Sequence, residues 1–150
     1  MSEELHTFKI HSLWSGDSEG DGVMRCNGYD VNYGRPEQLG GKPGRPNPED
    51  MLLASVVACY SITFSVLAER RRLPVARVEV DAEADVIRQL GGTLKYKSIR
   101  LRPRITLNDG DAAQANTALD SAHKAEQYCV ISNALRGNVE ITVDPEIAHE

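Results

Sequence analysis

Hydrophobic and polar positions change period several times along the chain, and each change marks an element. Val78, Val80, Ala82, Ala84 and Val86 alternate with Glu79, Asp81, Glu83 and Asp85, while Ile99, Leu101, Ile105 and Leu107 alternate with Arg100, Arg102 and Arg104. A period of two gives each stretch one apolar face, so both are predicted strands. Paired antiparallel through a turn at Gly91-Gly92, their outer faces set carboxylates opposite guanidinium groups, the favourable cross-strand arrangement. An arginine row neutralised on its own sheet reads as a solvent face and not as a nucleic-acid stripe. Pro103 has no N–H to give to a ladder and predicts that the second strand is an edge or carries a bulge.

From Met51 to Leu67 the periodicity is lost, because nearly every residue is apolar or small and none is charged. Asn47-Pro48-Glu49-Asp50 precedes this run with a capping residue, proline at the first helical position and two carboxylates in the first turn, where free N–H groups favour them. A helix is predicted from Pro48 to about Arg72, ending because the residue before Pro74 is pushed out of the helical region. With no wet face it reads as a buried central helix, surfacing only at Glu69-Arg70-Arg71-Arg72. Upstream, Leu5 to Trp14 alternates as a strand and Gly16 to Gly22 is a turn. Val23 to Cys26 and Tyr29 to Tyr33 follow as strands joined by the hairpin signal Asn27-Gly28. The stretch 34–46 holds four glycines, three prolines and the arginines Arg35 and Arg45, which reads as an ordered loop. Downstream, Asp111 to about Gln127 is an amphipathic helix with Ala115, Leu119 and Ala122 on its apolar stripe. Ile131 to Leu135 is a short helical turn that Gly137 ends, and Val139 to Val143 is a last strand stopped by Asp144-Pro145.

The element order predicts an α+β fold in which an antiparallel sheet wraps a long buried central helix, in one domain spanning residues 1–150. One subunit has too little sheet to enclose that helix, which argues for a homodimer in which two such helices pack together. A net charge of -5 gives no reason to expect nucleic acid or an anionic membrane as partner. The acidic start Met1-Ser2-Glu3-Glu4 is unlike a signal peptide, and no apolar stretch is expected to reach the roughly 18 residues of a membrane span, so the chain reads as cytoplasmic. Cytosolic thiols are kept reduced, so three cysteines are not a disulfide framework. Cys59 lies in the apolar helix and Cys129 opens the segment Cys129 to Asn138, which holds the short helical turn. Neither belongs to a CxxC or has a histidine or cysteine at ligand spacing, so no metal and no cofactor is implied. What remains is a long-range thiol pair: a thiolate that attacks an oxidant becomes a sulfenic acid, which a second cysteine condenses to a disulfide. Against this, a lone cysteine in an apolar helix is most often a small core residue, the role assigned to Cys26.

The run Asn47-Pro48-Glu49-Asp50-Met51-Leu52-Leu53-Ala54-Ser55-Val56-Val57-Ala58-Cys59-Tyr60, followed by Tyr128-Cys129-Val130-Ile131-Ser132-Asn133-Ala134-Leu135-Arg136-Gly137-Asn138-Val139, resembles the two signature segments of the OsmC/Ohr family, the osmotically inducible and organic-hydroperoxide-resistance proteins. The resemblance implies an intertwined homodimer that reduces organic hydroperoxides, with Cys59 peroxidatic, Cys129 resolving, a dithiol reductant and no bound cofactor. It also implies a loop arginine that holds the reactive thiolate, Arg35 or as second candidate Arg45, assisted by Glu49. That requirement has a physical basis, since burial raises a thiol's pKa unless a cation is near, and the helix itself offers none closer than Arg70. Glu49 would orient the guanidinium through a bidentate pair. Ten helical residues separate Glu49 from Cys59, about 15 Å at 1.5 Å per residue, so the helix is bent between them or Glu49 reaches only the far side of the arginine. The sequence departs from the family at Val130, where many members have proline, and at Tyr60, where phenylalanine is common and the added hydroxyl needs a partner if buried. Tyr60, Phe64 and Tyr128 would wall an alkyl pocket or simply fill the core. The competing reading is a non-catalytic dimeric module that binds a small apolar ligand; an acyl-thioester hydrolase lacks a convincingly placed base.

Overall fold

In the computed structural model, which describes residues 3–150, Asn27 and Gly28 both take positive φ, 20° and 87°, as a two-residue hairpin turn requires. They join the second and third strands of a three-stranded antiparallel sheet: β1 (Ile10–Ser15), β2 (Asp21–Cys26) and β3 (Tyr29–Tyr33), in that order. β1 begins later than the alternation from Leu5 predicts; Leu5 and Phe8 are exposed. Gly22 lets the Tyr33 ring lie across it: a Cβ there would stand 2.2 Å from Cζ of Tyr33, so the ring would have to shift. Tyr33 also bonds Ser12 at 2.7 Å and meets Trp14 at a centroid distance of 5.8 Å. The loop 34–46 is closed by Gly34 N–H donating to Pro46 O at 2.9 Å and contains one 3₁₀ turn, Glu37–Leu39, ended by Gly40 at φ 93°. The chain's contacts fall into two compact units, one ending at Leu52 and one starting at Leu53.

Helix α1 (Pro48–Arg70) forms without interruption. Asn47 caps it as predicted, its side-chain oxygen accepting from Asp50 N–H at 2.8 Å. The helix ends two residues early. Arg72 takes the left-handed conformation at φ 55° and Leu73 N–H returns to Ala68 O at 3.0 Å, a closure that normally uses glycine. Arg72→Gly is therefore expected to stabilise the protein by about 0.5–1 kcal/mol, a rise of about 1–4 °C in Tm, read by thermal denaturation. An unchanged or lower Tm would show that Arg72 carries no conformational strain.

Strands β4 (Val75–Arg88) and β5 (Leu94–Leu107) pair antiparallel along their whole length and turn at Gly91 and Gly92, both at positive φ. The predicted charge face is present: Glu83 lies opposite Arg100, Asp81 opposite Arg102 and Glu79 opposite Arg104. Arg100 pairs with Asp85 at 2.7 Å and Glu83 at 3.2 Å, and Arg102 pairs with Glu83 at 2.6 Å. Solvent screens these pairs, so they fix register more than they add stability.

Two expectations for this sheet are corrected. The sheet is mixed, because β6 (Glu140–Val143) and β7 (Glu146–His149) both run parallel to β5 on its far side. β6 stops at Asp144-Pro145 as predicted, but a further strand, β7, follows that the sequence does not announce. β5 is consequently central, and Pro103 marks neither an edge nor a bulge. Leu101 O accepts from Asp144 N–H at 2.9 Å, so by strand alternation the Pro103 nitrogen faces the same side, in the gap where β6 has ended and β7 has not begun. No ladder bond is missed there.

Helix α2 (Ala112–Tyr128) starts with a full capping box, Asp111 and Gln114 each bonding the other's backbone N–H. Its buried side carries Ala118, Ser121, Ala122, Ala125 and Glu126, whereas Leu119 is exposed, so the apolar stripe expected through Leu119 is rotated. Arg71 ties α1 to this helix through Asp120 at 2.6 Å and Ser121 at 3.0 Å. Val56, Tyr60, Phe64 and Ala68 of α1 form one core with Ile99, Leu101, Ile105 and Leu107 of β5 and the alanines of α2. The opposite stripe of α1, Ala54, Ala58, Ile62 and Val66, is exposed, with Ile62 66% and Val66 41% accessible. Within one chain, α1 is therefore buried along a single stripe and not all round. It is also long and apolar enough, by length and composition alone, to cross a membrane, contrary to the expectation from sequence.

Candidate functional site

The packing of α1 against α2 decides what faces Cys59. Tyr60, fully buried, donates its hydroxyl to Ala122 O at 2.8 Å, so the departure from phenylalanine carries its own partner. α2 stops at Tyr128, Cys129 is extended at φ -67° and ψ 121°, and α3 (Val130–Leu135) begins at once. This break turns the Cys129 side chain into the core, where it is fully buried. Cys59 is half-buried, and both thiols are free.

The two thiols lie close enough to shift each other's ionisation. Around Cys59, burial works to raise the pKa, but donation from the Cys129 thiol, Ile131 N–H, the Thr63 hydroxyl and Val130 N–H outweighs it and holds Cys59 below the ordinary thiol value. Thr63 Oγ1 lies 4.0 Å from Cys59 Sγ. Cys129 is displaced the other way: burial and its role as donor to Cys59 raise it, against smaller opposing contributions from the Ser132 side chain and N–H, the latter 3.5 Å from Sγ. The pair is thus polarised, with Cys59 the more readily ionised and more accessible sulfur.

Arg35 and Glu49 belong to the unit that ends at Leu52. There Arg35 is exposed and pairs with Glu19 at 3.2 Å. Arg45 is less accessible, pairing with Asp21 and donating to Gly20 O at 3.2 Å. Glu49 is half-buried in the first turn of α1, which is unbroken between it and Cys59.

Three contributors were not foreseen. Thr63 was available from its i, i+4 relation to Cys59. The N–H groups of Val130 and Ile131 depend on the break at Cys129, which no periodicity announces. The third is an ion pair around that break: Arg136, which follows α3, binds the Glu126 carboxylate at 2.9 Å and the Glu126 carbonyl at 3.3 Å.

A family model described as OsmC-like protein matches residues 40–144. The chain is 31% identical over 146 residues to the uncharacterized protein YmaD of Bacillus subtilis, covering 95% of each chain. It is 30% identical over 144 residues to the organic hydroperoxide resistance protein of Xanthomonas axonopodis pv. citri, covering 95% of this chain and 96% of that one. Its fold matches an OsmC-like protein of unknown function from Vibrio cholerae with a TM-score of 0.83 at 14% identity, over 95% of this chain and all of that one. On the match across both signature segments and their shared fold, the chain belongs to the OsmC-like family.

Proposed function

We propose that residues 1–150 form one OsmC-like domain of a cytoplasmic homodimer that reduces organic hydroperoxides through Cys59 and Cys129. The carrying observation is the polarised thiol pair, with four donors around Cys59. The Cys59 thiolate attacks an oxygen of the hydroperoxide, the O–O bond breaks, and the alkoxide leaves with a proton as an alcohol. Cys59 is left as a sulfenic acid, which the Cys129 sulfur attacks with loss of water to form a disulfide. An external dithiol reduces that disulfide and closes the cycle. The relative in Xanthomonas named for organic hydroperoxide resistance supports this substrate class. Arg35 with Glu49, or Arg45, would supply the cation that steadies the thiolate, as the family resemblance implies. The exposed apolar stripe of α1 supports the homodimer, because a second α1 would cover it.

The direct test mixes the reduced protein with substoichiometric tert-butyl hydroperoxide and follows hydroperoxide and thiols together. Loss of two thiols per hydroperoxide is expected. Unconsumed hydroperoxide would sink the peroxidase reading and favour the apolar-ligand module.

The rate of attack should rise with pH as Cys59 ionises, with a midpoint below that of an ordinary free thiol. Val130→Pro deletes one N–H that lowers Cys59 yet suits the first position of a helix, so it should move that midpoint upward and slow attack at neutral pH. Val130→Ala keeps the N–H and should leave both unchanged. Equal profiles for the proline and alanine variants, measured by iodoacetamide alkylation, would remove the Val130 N–H from the mechanism.

A further inference from the structure

Forming the disulfide requires the Cys59 and Cys129 sulfurs, both free thiols here, to close to about 2.05 Å with a restricted dihedral angle. Cys59 sits mid-helix in α1, so most of that movement falls on the segment between α2 and α3. Two bonds from one side chain span this segment, and two more tie that side chain to α3. Arg136 Nη2 reaches the Glu126 carboxylate at 2.9 Å and the Glu126 carbonyl at 3.3 Å, while the guanidinium also holds Asn133 Oδ1 at 3.2–3.3 Å. The Glu126 carbonyl is also the acceptor for Cys129 N–H, at a long 3.4 Å. Glu126 is one of the few buried charged residues among those described, its side chain only 12% accessible, whereas Arg136 is half-exposed. A buried carboxylate costs desolvation and is retained only with a partner. Here the partner closes a ring running from Glu126 through Cys129 and α3 back to Arg136.

We propose that Glu126 and Arg136 are a positioning pair which holds the α2–α3 break so that Cys129 closes on Cys59. The proposal rests on the reading of Cys129 as the resolving cysteine. Neither side chain takes part in bonding to the oxidant. Their effect falls chiefly on the second chemical step, where misplacement of a reacting group by about 1 Å is enough to slow it up to about a hundredfold.

The test separates the two steps without hydroperoxide. An aromatic disulfide, dithiobis(nitrobenzoic acid), is attacked by the Cys59 thiolate to give a mixed disulfide and one nitrothiobenzoate. Cys129 then loses its proton, attacks the Cys59 sulfur and releases the second nitrothiobenzoate. Release should be biphasic in the wild type and stop after the first phase in Cys129→Ser. In Glu126→Gln and Arg136→Gln the second phase should slow about tenfold or more, and by clearly more than the first, with Arg136→Lys recovering part of the loss. Arg136→Gln changes the exposed end of the pair, so it keeps the test open if Glu126→Gln fails to fold. A second phase at the wild-type rate in folded Arg136→Gln, or equal slowing of both phases, overturns the proposal. A normal biphasic release with no hydroperoxide consumption would sink the peroxidase reading and leave the positioning pair standing.

Discussion

Cys59→Ser is expected to abolish thiol-dependent turnover of an organic hydroperoxide, and Cys129→Ser to leave one round of consumption that stops at a sulfenic acid. The asymmetry follows from the site. Cys59 is the half-buried sulfur lowered by its hydrogen-bond donors, whereas Cys129 is fully buried and raised by burial and by donating to Cys59. A serine hydroxyl at 59 stays protonated at any working pH and has no comparable nucleophilicity toward an O–O bond. A serine at 129 still donates to Cys59 but cannot close a disulfide. Single-turnover consumption by the reduced wild type and both variants, with dimedone trapping of the sulfenic acid, reads the difference. Wild-type consumption by Cys59→Ser would remove the cysteine mechanism altogether.

What the sequence made legible is what depends on near neighbours. The alternation of Val78 to Val86 against Ile99 to Leu107 carried both strands, their register sense and their charge face, since period and charge sign are local properties. Asn47 and Pro48 likewise announced the start of α1 and Gly137 the end of α3. Pro103 misled because the free space beside its nitrogen is made by a break between β6 and β7, some forty residues further on. α2 was rotated in the reading because its buried face is built from alanine and serine, which carry little hydrophobic contrast. At the site, the signature segments point to Cys59 and Cys129 as a pair, a relation that no local periodicity carries. The donors at Val130 and Ile131 are backbone groups that any residue but proline would supply, so no side-chain pattern encodes them. The Arg35 and Glu49 expectation rests on family resemblance, and in its own unit Arg35 is engaged with Glu19.

The second large effect separates what one chain buries from what a partner covers. Phe64 is fully buried among Ile99, Leu101 and Ile105, so Phe64→Ala should cost about 3–5 kcal/mol through lost transfer energy and the cavity it leaves. Against a total of about 5–15 kcal/mol, that is a large share of the stability, and Tm should fall by about 10 °C. Ile62 lies two residues away on the opposite stripe of the same helix and is 66% exposed in the single chain. If nothing covers it, Ile62→Ala should change stability by no more than about 0.5 kcal/mol, the usual range for a surface site. If a second α1 packs there, as we propose, the same substitution should cost about 2–5 kcal/mol and the melting temperature should depend on protein concentration. Urea unfolding of both variants at two protein concentrations, with sedimentation to read the mass, decides the matter. A surface-like cost at Ile62 together with a monomer mass would sink the homodimer and leave α1 with an open apolar stripe, while a core-like cost would place that stripe inside the assembled protein.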